Sequence, residues 1–214
     1  MACAQQTGLY DTKSVSKYNG YIRHIAYTHS LASIKMKFKT QENLFDYLFE
    51  PTVPWENRVI VPAAGIIASG WTKENKVFLL SADGYSVSNP ITGERELRNW
   101  DEENKAMSKF SKDNLEFRID ELQETIKVFG LRGGNGNHLT SDYWNLDSFH
   151  PGLGHQIVGI TNLKKHQNKS EYWKNFDLIR LERLENCSLT YGFSPDEKHF
   201  GIFGSGGAEI FSRR

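Results

Sequence analysis

The sequence predicts an all-β protein, and three observations carry that prediction. The stretch 188–212 consists of three short apolar runs separated by a Ser-Pro-Asp-Glu turn and a glycine turn. Alternating apolar residues broken by such turns are typical of an antiparallel meander. The stretch 65–89 has the same layout, with Trp71 at the place of Phe193. The third observation is the spacing at which similar aromatic residues recur along the whole chain.

Aromatic residues mark a longer period. Phe193 and Phe200 are seven residues apart, and Phe110 and Phe117 repeat that spacing around a similar polar turn. Two looser copies complete a series whose successive members are 44, 39, 39 and 44 residues apart, a mean of 41.5. The series predicts five similar units. Their leading aromatic residues are Tyr27, Trp71, Phe110, Phe149 and Phe193.

Each unit is predicted from short apolar runs between turn residues. The segment 114–127 also fits a helix, so its strands have an alternative. The fifth unit ends after its third strand. The remaining predicted strands are 21–27, 33–38, 44–49 and 58–62 in the first unit, 94–99 in the second, 115–119 and 125–129 in the third, and 156–160 and 176–181 in the fourth.

A ring of such units must close, and residues 7–12 are predicted to supply the missing strand beside the last three. A period of about 40–45 residues with four short strands is typical of a propeller blade. The chain therefore resembles the β-propeller superfamily. The resemblance implies a five-bladed β-propeller closed by its N- and C-terminal strands. A β-sandwich or another barrel is the alternative.

Composition limits the classes of protein. The chain has 214 residues, which predicts a single domain over 1–214. Its 26 basic and 26 acidic residues cancel, and this argues against a nucleic-acid partner. Aromatic residues make up 13% of the chain and glycines number 18, a balance that suits turn-rich strands. We expect a monomer.

The cysteines and the start of the sequence leave the compartment open. Cys3 and Cys187 predict either two free thiols or one disulfide, and they do not form a metal-binding spacing. No apolar run has the roughly 18–20 residues that a transmembrane helix needs. The segment 1–6 resembles the junction of a bacterial lipoprotein, but it also fits an ordinary cytosolic start. Extracytoplasmic and cytoplasmic locations both remain open.

The sequence contains no strong catalytic motif. It lacks the H-E-x-x-H, G-x-S-x-G and P-loop patterns, and its seven histidines have no ligand spacing. No cofactor and no metal are therefore expected. Some five-bladed propellers are glycosidases that use two or three carboxylates, and Asp147 is the candidate that lies near a predicted inner strand. Glycoside hydrolysis is kept as an alternative, and an enzyme is the less favoured class.

Aromatic residues in the long loops indicate a binding surface instead. In a propeller, the loops between blades share a face with the loops between second and third strands. That face would combine exposed Trp and Tyr with polar side chains, as recognition sites do. The candidate partner-binding residues are Trp100, Asp101, His138, Tyr143, Trp144, His166, Tyr172 and Trp173.

The predicted function is non-catalytic binding of a protein partner through one face. An inhibitor or immunity-type protein is one form of this function, suggested by analogy. A lectin-like propeller that binds carbohydrate is the alternative, and it predicts equivalent sites in every blade. The loops 98–106 and 130–145 differ in length and sequence, so one asymmetric partner is favoured.

Overall fold

The computed structural model describes residues 43–50, 53–101, 105–131, 133–152, 154–165, 169, 171–185 and 188–213. In these residues the fold is all-β, as predicted. Its helical elements are short 3-10 helices, none of which is long and apolar enough to cross a lipid bilayer. They comprise Leu44–Tyr47, Ala106–Lys109, Leu163–Lys165 and Tyr172–Asn175.

Fourteen strands run through the described residues. In chain order they are β1 Leu48–Phe49, β2 Asn57–Pro62, β3 Ile66–Trp71, β4 Val77–Ser81, β5 Gly84–Ser88, β6 Arg95–Trp100, β7 Glu116–Ile119, β8 Glu124–Gly130, β9 Trp144–Gly152, β10 His155–Asn162, β11 Asp177–Ile179, β12 Thr190–Phe193, β13 His199–Gly204 and β14 Gly207–Ser212.

Hydrogen bonds group the strands into three sheets. Sheet A has the order β1-β11-β10-β9, sheet B the order β12-β13-β14-β2, and sheet C the order β6-β5-β4-β3-β8-β7. Neighbouring strands are antiparallel except β1 and β11, which are parallel. The two predicted meanders are confirmed as β3-β4-β5 and β12-β13-β14. The helix alternative for 114–127 is wrong, because β7 and β8 occupy that segment.

Sheet B has apolar side chains on both of its faces. On one face Phe193, Phe200 and Phe211 pack with Leu146 and Val158 of sheet A. The other face packs against sheet C through a second apolar cluster, which includes Phe203 and Ile210 of sheet B. Cross-strand alternation explains this arrangement, because adjacent residues of a strand point to opposite faces. Sheet B is therefore the middle layer of the three sheets.

Sheet C curls into a half-barrel. Phe78 of β4 and Tyr85 of β5 contact Phe117 of β7, with ring centres 5.0 and 5.3 Å apart. A third apolar cluster fills the space inside this curl. The curl covers residues that would otherwise be exposed on the far face of the sheet.

The turns at Ser111 and Ser194 have the same hydrogen bonds. In each, the serine hydroxyl donates to an aspartate two residues later at 2.6 Å and accepts from the N–H five residues later at 3.0 Å. The two aromatic pairs around these turns, Phe110–Phe117 and Phe193–Phe200, lie opposite each other across the strands. The equal seven-residue spacing thus reflects one turn geometry used twice.

The same spacing has a different result at Trp71. This residue pairs with Val77, and Phe78 pairs with Gly70, so the two aromatic rings point to opposite faces of sheet C. The predicted correspondence with Phe193 and Phe200 is therefore wrong at the level of side-chain position. The reason is the length of the turn: the last paired residues are six positions apart after β3 (Trp71 and Val77) and seven positions apart after β12 (Phe193 and Phe200).

The fourth strand of sheet B is β2, which pairs with β14 along six residues of each strand. The prediction that residues 7–12 fill this position is wrong, because β2 occupies the free edge of β14; residues 7–12 themselves lie outside the described residues. The predicted strand 44–49 is also wrong over most of its length, since Leu44–Tyr47 is a 3-10 helix. The described residues do not form a closed ring of five blades.

Glu209 connects sheet B to the segment that follows sheet A. Its carboxylate is fully buried and accepts a hydrogen bond from Arg58 Nε at 2.9 Å, and a second from the same guanidinium. It also accepts from the backbone N–H groups of Glu182, Arg183 and Leu184 at 2.9, 2.7 and 3.1 Å. A buried charge is stable only when paired and hydrogen-bonded, and both conditions are met here.

The inner strand β12 is crossed closely by the segment 136–139. Phe193 N donates to Asn137 O at 2.7 Å, and Leu146 N of β9 donates to His138 O at 2.9 Å. The crossing requires glycine at two positions, Gly136 and Gly192. A Cβ on Gly136 would lie 2.2 Å from Tyr191 O. The reason for glycine at position 136 is therefore close backbone contact.

We expect Glu209→Ala to lower the free energy of unfolding by about 3–5 kcal/mol, because three backbone N–H groups lose their carboxylate acceptor and the Arg58 guanidinium loses its buried counter-charge. Urea denaturation measures the effect. The control is Glu96→Ala, which removes a surface ion pair with Lys76 and should change stability little. Similar urea midpoints for the two variants would contradict the role given to Glu209.

We expect Gly136→Ala to destabilise the fold by about 1–3 kcal/mol, because the new methyl group meets backbone atoms that cannot rotate away. Gly206→Ala is the matched control: the nearest atoms to its Cβ would be 3.8 Å away and its backbone is unstrained. Thermal denaturation of both variants checks this. A native-like melting temperature for Gly136→Ala would mean that the segment does not cross β12 as described.

Candidate binding surface

His138 lies where the segment 136–139 passes between β9 and β12. Its ring stacks on Tyr191, with centres 4.5 Å apart and planes 22° apart. Burial lowers the pKa of the His138 imidazole below its ordinary value of 6.5, and a hydrogen bond to the Tyr191 backbone and the charge of Asp147 oppose part of that effect. The imidazole is therefore neutral at pH 7.

Asp147 of β9 is the centre of a polar cluster. Its Oδ2 accepts a hydrogen bond from the Tyr172 hydroxyl at 2.9 Å, and its Oδ1 accepts from Ser148 N at 2.8 Å. Burial, together with this carboxylate, raises the pKa of Tyr172 to about 12, and burial also raises the pKa of Tyr191. Both phenols stay protonated, and Tyr172 is held in place as a donor.

An aromatic groove lies next to this cluster. We use the term aromatic groove for the depression lined by Tyr47, Phe49, Trp173, Phe176 and neighbouring residues of β11; its volume is about 440 Å³. Tyr172 packs on Phe176 beside it, with ring centres 5.1 Å apart. Phe49 is 54% exposed and Tyr172 is 56% exposed. Trp173 is fixed by a 5.0 Å edge-to-face contact with Tyr47 and by a hydrogen bond from Nε1 to Glu171 at 2.9 Å. The groove therefore has rigid walls and exposed rings.

Only some of the aromatic residues at the groove are predictable from the sequence. Tyr172 and Trp173 were predicted, whereas Tyr47 and Phe49 were assigned to a regular strand. The run Leu-Phe-Asp-Tyr-Leu-Phe over 44–49 does not alternate strictly between apolar and polar residues. That departure was the available signal, because a half-buried strand alternates with a period of two.

Tyr143 and Trp144 have different environments. Tyr143 has a φ of 75° and is half exposed, and Lys164 Nζ lies 4.4 Å from the centre of its ring. Trp144 packs edge to face on the buried Trp55, with ring centres 5.8 Å apart, so it belongs to the core between sheets A and B. Of this pair, Tyr143 is the more exposed residue.

Trp100 lies away from these residues. It pairs with Gly84 at the turn between β4 and β5. The turn that holds Tyr143 contacts the β12–β13 turn, which contacts the β3–β4 turn at the opposite end of β4. The structure therefore does not bring Trp100 and Tyr143 to one face. The predicted common face fails because strand direction puts these two loops at opposite ends of the sheets.

Asp101 has a local structural role. Its carboxylate accepts hydrogen bonds from the backbone N–H groups of Lys105 and Ala106 at 2.6 and 2.8 Å. These bonds hold the start of the 3-10 helix Ala106–Lys109. His166 lies outside the described residues.

The geometry around Asp147 suits hydrogen bonding to a polar group. The Tyr172 hydroxyl, the Ser148 backbone amide and the His138 imidazole lie near this carboxylate. No group of three His, Cys, Asp or Glu side chains able to hold a metal ion occurs among the described residues.

We expect the stability of the native chain to fall as the pH is lowered through 6.5, because the unfolded His138 takes up a proton more readily than the folded one. His138→Phe keeps a ring on Tyr191 and removes this component, so its free energy of unfolding should decrease less between about pH 7.5 and about pH 5.5. His199, whose pKa burial also lowers, leaves a residual slope in both chains. Urea denaturation at both pH values gives the comparison, and equal slopes would contradict the assignment.

Comparison with known proteins identifies no relative of this chain. No protein-family model matches the chain, no curated protein is detectably similar to it, and no solved structure matches its fold. The function is therefore inferred from the geometry described above.

Proposed function

We propose that this protein is a non-catalytic binding protein that holds a segment of a protein partner in the aromatic groove. The observation that carries the proposal is the exposure of Phe49 and Tyr47, which are 54% and 37% exposed and line one depression. Large apolar rings gathered on one surface are typical of binding sites, because covering them with a partner removes apolar area from water.

The groove has the layout of a protein interface. Its lining combines aromatic and apolar side chains with Lys169, Lys174 and Asp177. Interfaces commonly have an apolar centre and a polar rim, and Tyr and Trp are enriched among the residues that contribute most to affinity. The hydrogen bond from Tyr172 to Asp147 fixes one ring before binding, which reduces the entropy that association costs.

The shape of the groove favours a protein segment over a sugar. Tyr47 and Trp173 meet at an interplanar angle of 60°, so they form a corner and not a flat platform on which a sugar ring could stack. Carbohydrate binding remains the alternative. Glycoside hydrolysis through Asp147 is the second alternative, and it predicts turnover that is lost in Asp147→Asn.

The finer architecture also stays a proposal. Three stacked sheets and the completion of sheet B by a strand from earlier in the chain are compatible with a propeller. Five blades and an inhibitor or immunity-type role are predictions from resemblance and analogy.

The test compares Phe49→Ser with Ile91→Ser. Both changes remove one exposed apolar side chain, but Ile91 lies in the β5–β6 turn, outside the aromatic groove, and is 66% exposed. Each chain is immobilised and exposed to a lysate of the source cell, and retained proteins are identified and their affinity measured. We expect a protein retained by the native chain and by Ile91→Ser, with about tenfold or more weaker binding to Phe49→Ser.

Melting temperatures are measured first, and both variants should melt close to the native chain because the replaced side chains are exposed. Equal binding to Phe49→Ser and Ile91→Ser would overturn the assignment of the groove. Retention of the native chain on a glycan surface, lost in Phe49→Ser, would replace the protein partner with a carbohydrate.

A further inference from the structure

A β-bulge in strand β6 brings two arginine side chains to one face of sheet C. Arg98 pairs with Ser86 and Arg95 pairs with Ser88, which leaves Glu96 as the extra residue. In a regular strand, residues three apart point to opposite faces. The bulge instead aims both guanidinium groups to the side of the two serines, and bulges often re-aim side chains beside functional sites.

Polar groups on this face lack partners. The Arg98 guanidinium lies 4.0 Å from the centre of the Trp100 ring, while its buried Nε has no hydrogen-bond acceptor among the described residues. The buried Ser88 hydroxyl also has no partner there. No ion pair joins Arg95 or Arg98 to a carboxylate of the described residues. An unpaired buried donor is costly, so this site favours an acceptor.

These arginines line a small groove, which we name the arginine groove. Its volume is about 210 Å³, close to the space of about seven water molecules. The lining contains two guanidinium groups and one carboxylate, so positive charge predominates there. Trp100, which also lines the groove, is 63% exposed. The polar and aromatic residues of its lining are Ser81, Asp83, Ser86, Arg95, Arg98 and Trp100.

We propose that the arginine groove binds a small organic anion, with a carboxylate or phosphate group between Arg95 and Arg98 and an attached ring on Trp100. The planar fork of a guanidinium donates two parallel hydrogen bonds to either oxyanion. An exposed indole ring offers a flat apolar surface to the rest of such a ligand. The size of the groove limits the ligand to about one ring with one anionic group.

Titration calorimetry at low salt tests this with phenyl phosphate, benzoate, inorganic phosphate and benzyl alcohol. We expect at least one of the two aromatic anions to bind more tightly than the neutral alcohol, and more weakly as salt is added. A preference for phenyl phosphate assigns the site to phosphate, and a preference for benzoate assigns it to carboxylate. Trp100→Ala should weaken the binding of the aromatic anion and leave the binding of inorganic phosphate unchanged.

The variants are Arg95→Gln and Arg98→Gln, and the matched control is Arg118→Gln in β7, whose guanidinium already bonds Gln123 and lies near Asp120. Binding should weaken about tenfold or more in the first two and stay native in the control. If Arg98→Gln fails to fold, Arg95→Gln alone provides the test, because Arg95 is exposed and its replacement should not affect folding. Absence of heat with both aromatic anions at millimolar concentration, or equal affinity in Arg95→Gln and Arg118→Gln, would overturn the proposal.

The arginine groove shares no residue with the aromatic groove. Failure of one proposal therefore leaves the other unaffected.

Discussion

The buried carboxylate of Glu209 is the constraint on which the arrangement of sheets A and B depends. It projects from the middle strand pair of sheet B and accepts hydrogen bonds from Arg58 and from three consecutive N–H groups after β11. The same guanidinium donates to Arg180 O at 2.9 Å. Since a fully buried charge tolerates few alternative positions for its donors, the connection between the two sheets has one favoured geometry.

That geometry also positions the candidate binding surface. The segment 136–139 is hydrogen-bonded to β9 on one side and to β12 on the other, so it follows the placement of both sheets. His138 reaches Tyr191 from this segment, and Asp147 holds Tyr172 at the edge of the aromatic groove. The exposed ring of Tyr172 is therefore held by a hydrogen bond to a residue of sheet A, which limits the positions that the ring can adopt.

The sequence predicts the turns and strands that depend on residues close together in the chain. It does not predict the strand pairings and surfaces that depend on contacts between distant residues. The Ser194 turn and its flanking strands were predicted because the serine, the aspartate and the apolar alternation lie within a few residues. The strand partner of β14 was missed, because the choice between 57–62 and 7–12 rests on long-range packing and not on local pattern. Half of the candidate surface was found through Tyr172 and Trp173. Tyr47 and Phe49 were missed since only sheet A brings them beside these residues.

The use of β2 as the last strand of sheet B has a consequence for biosynthesis. About 145 residues separate the end of β2 from the start of β14, so β2 leaves the ribosome long before its partner. At typical rates of synthesis the delay is roughly 7–30 s. During this time an apolar strand with Val59 and Val61 has an unpaired edge, the type of surface that promotes aggregation. Chaperone occupancy of the nascent chain should therefore depend on this segment, even though one of its edges is paired with β14 in the finished sheet.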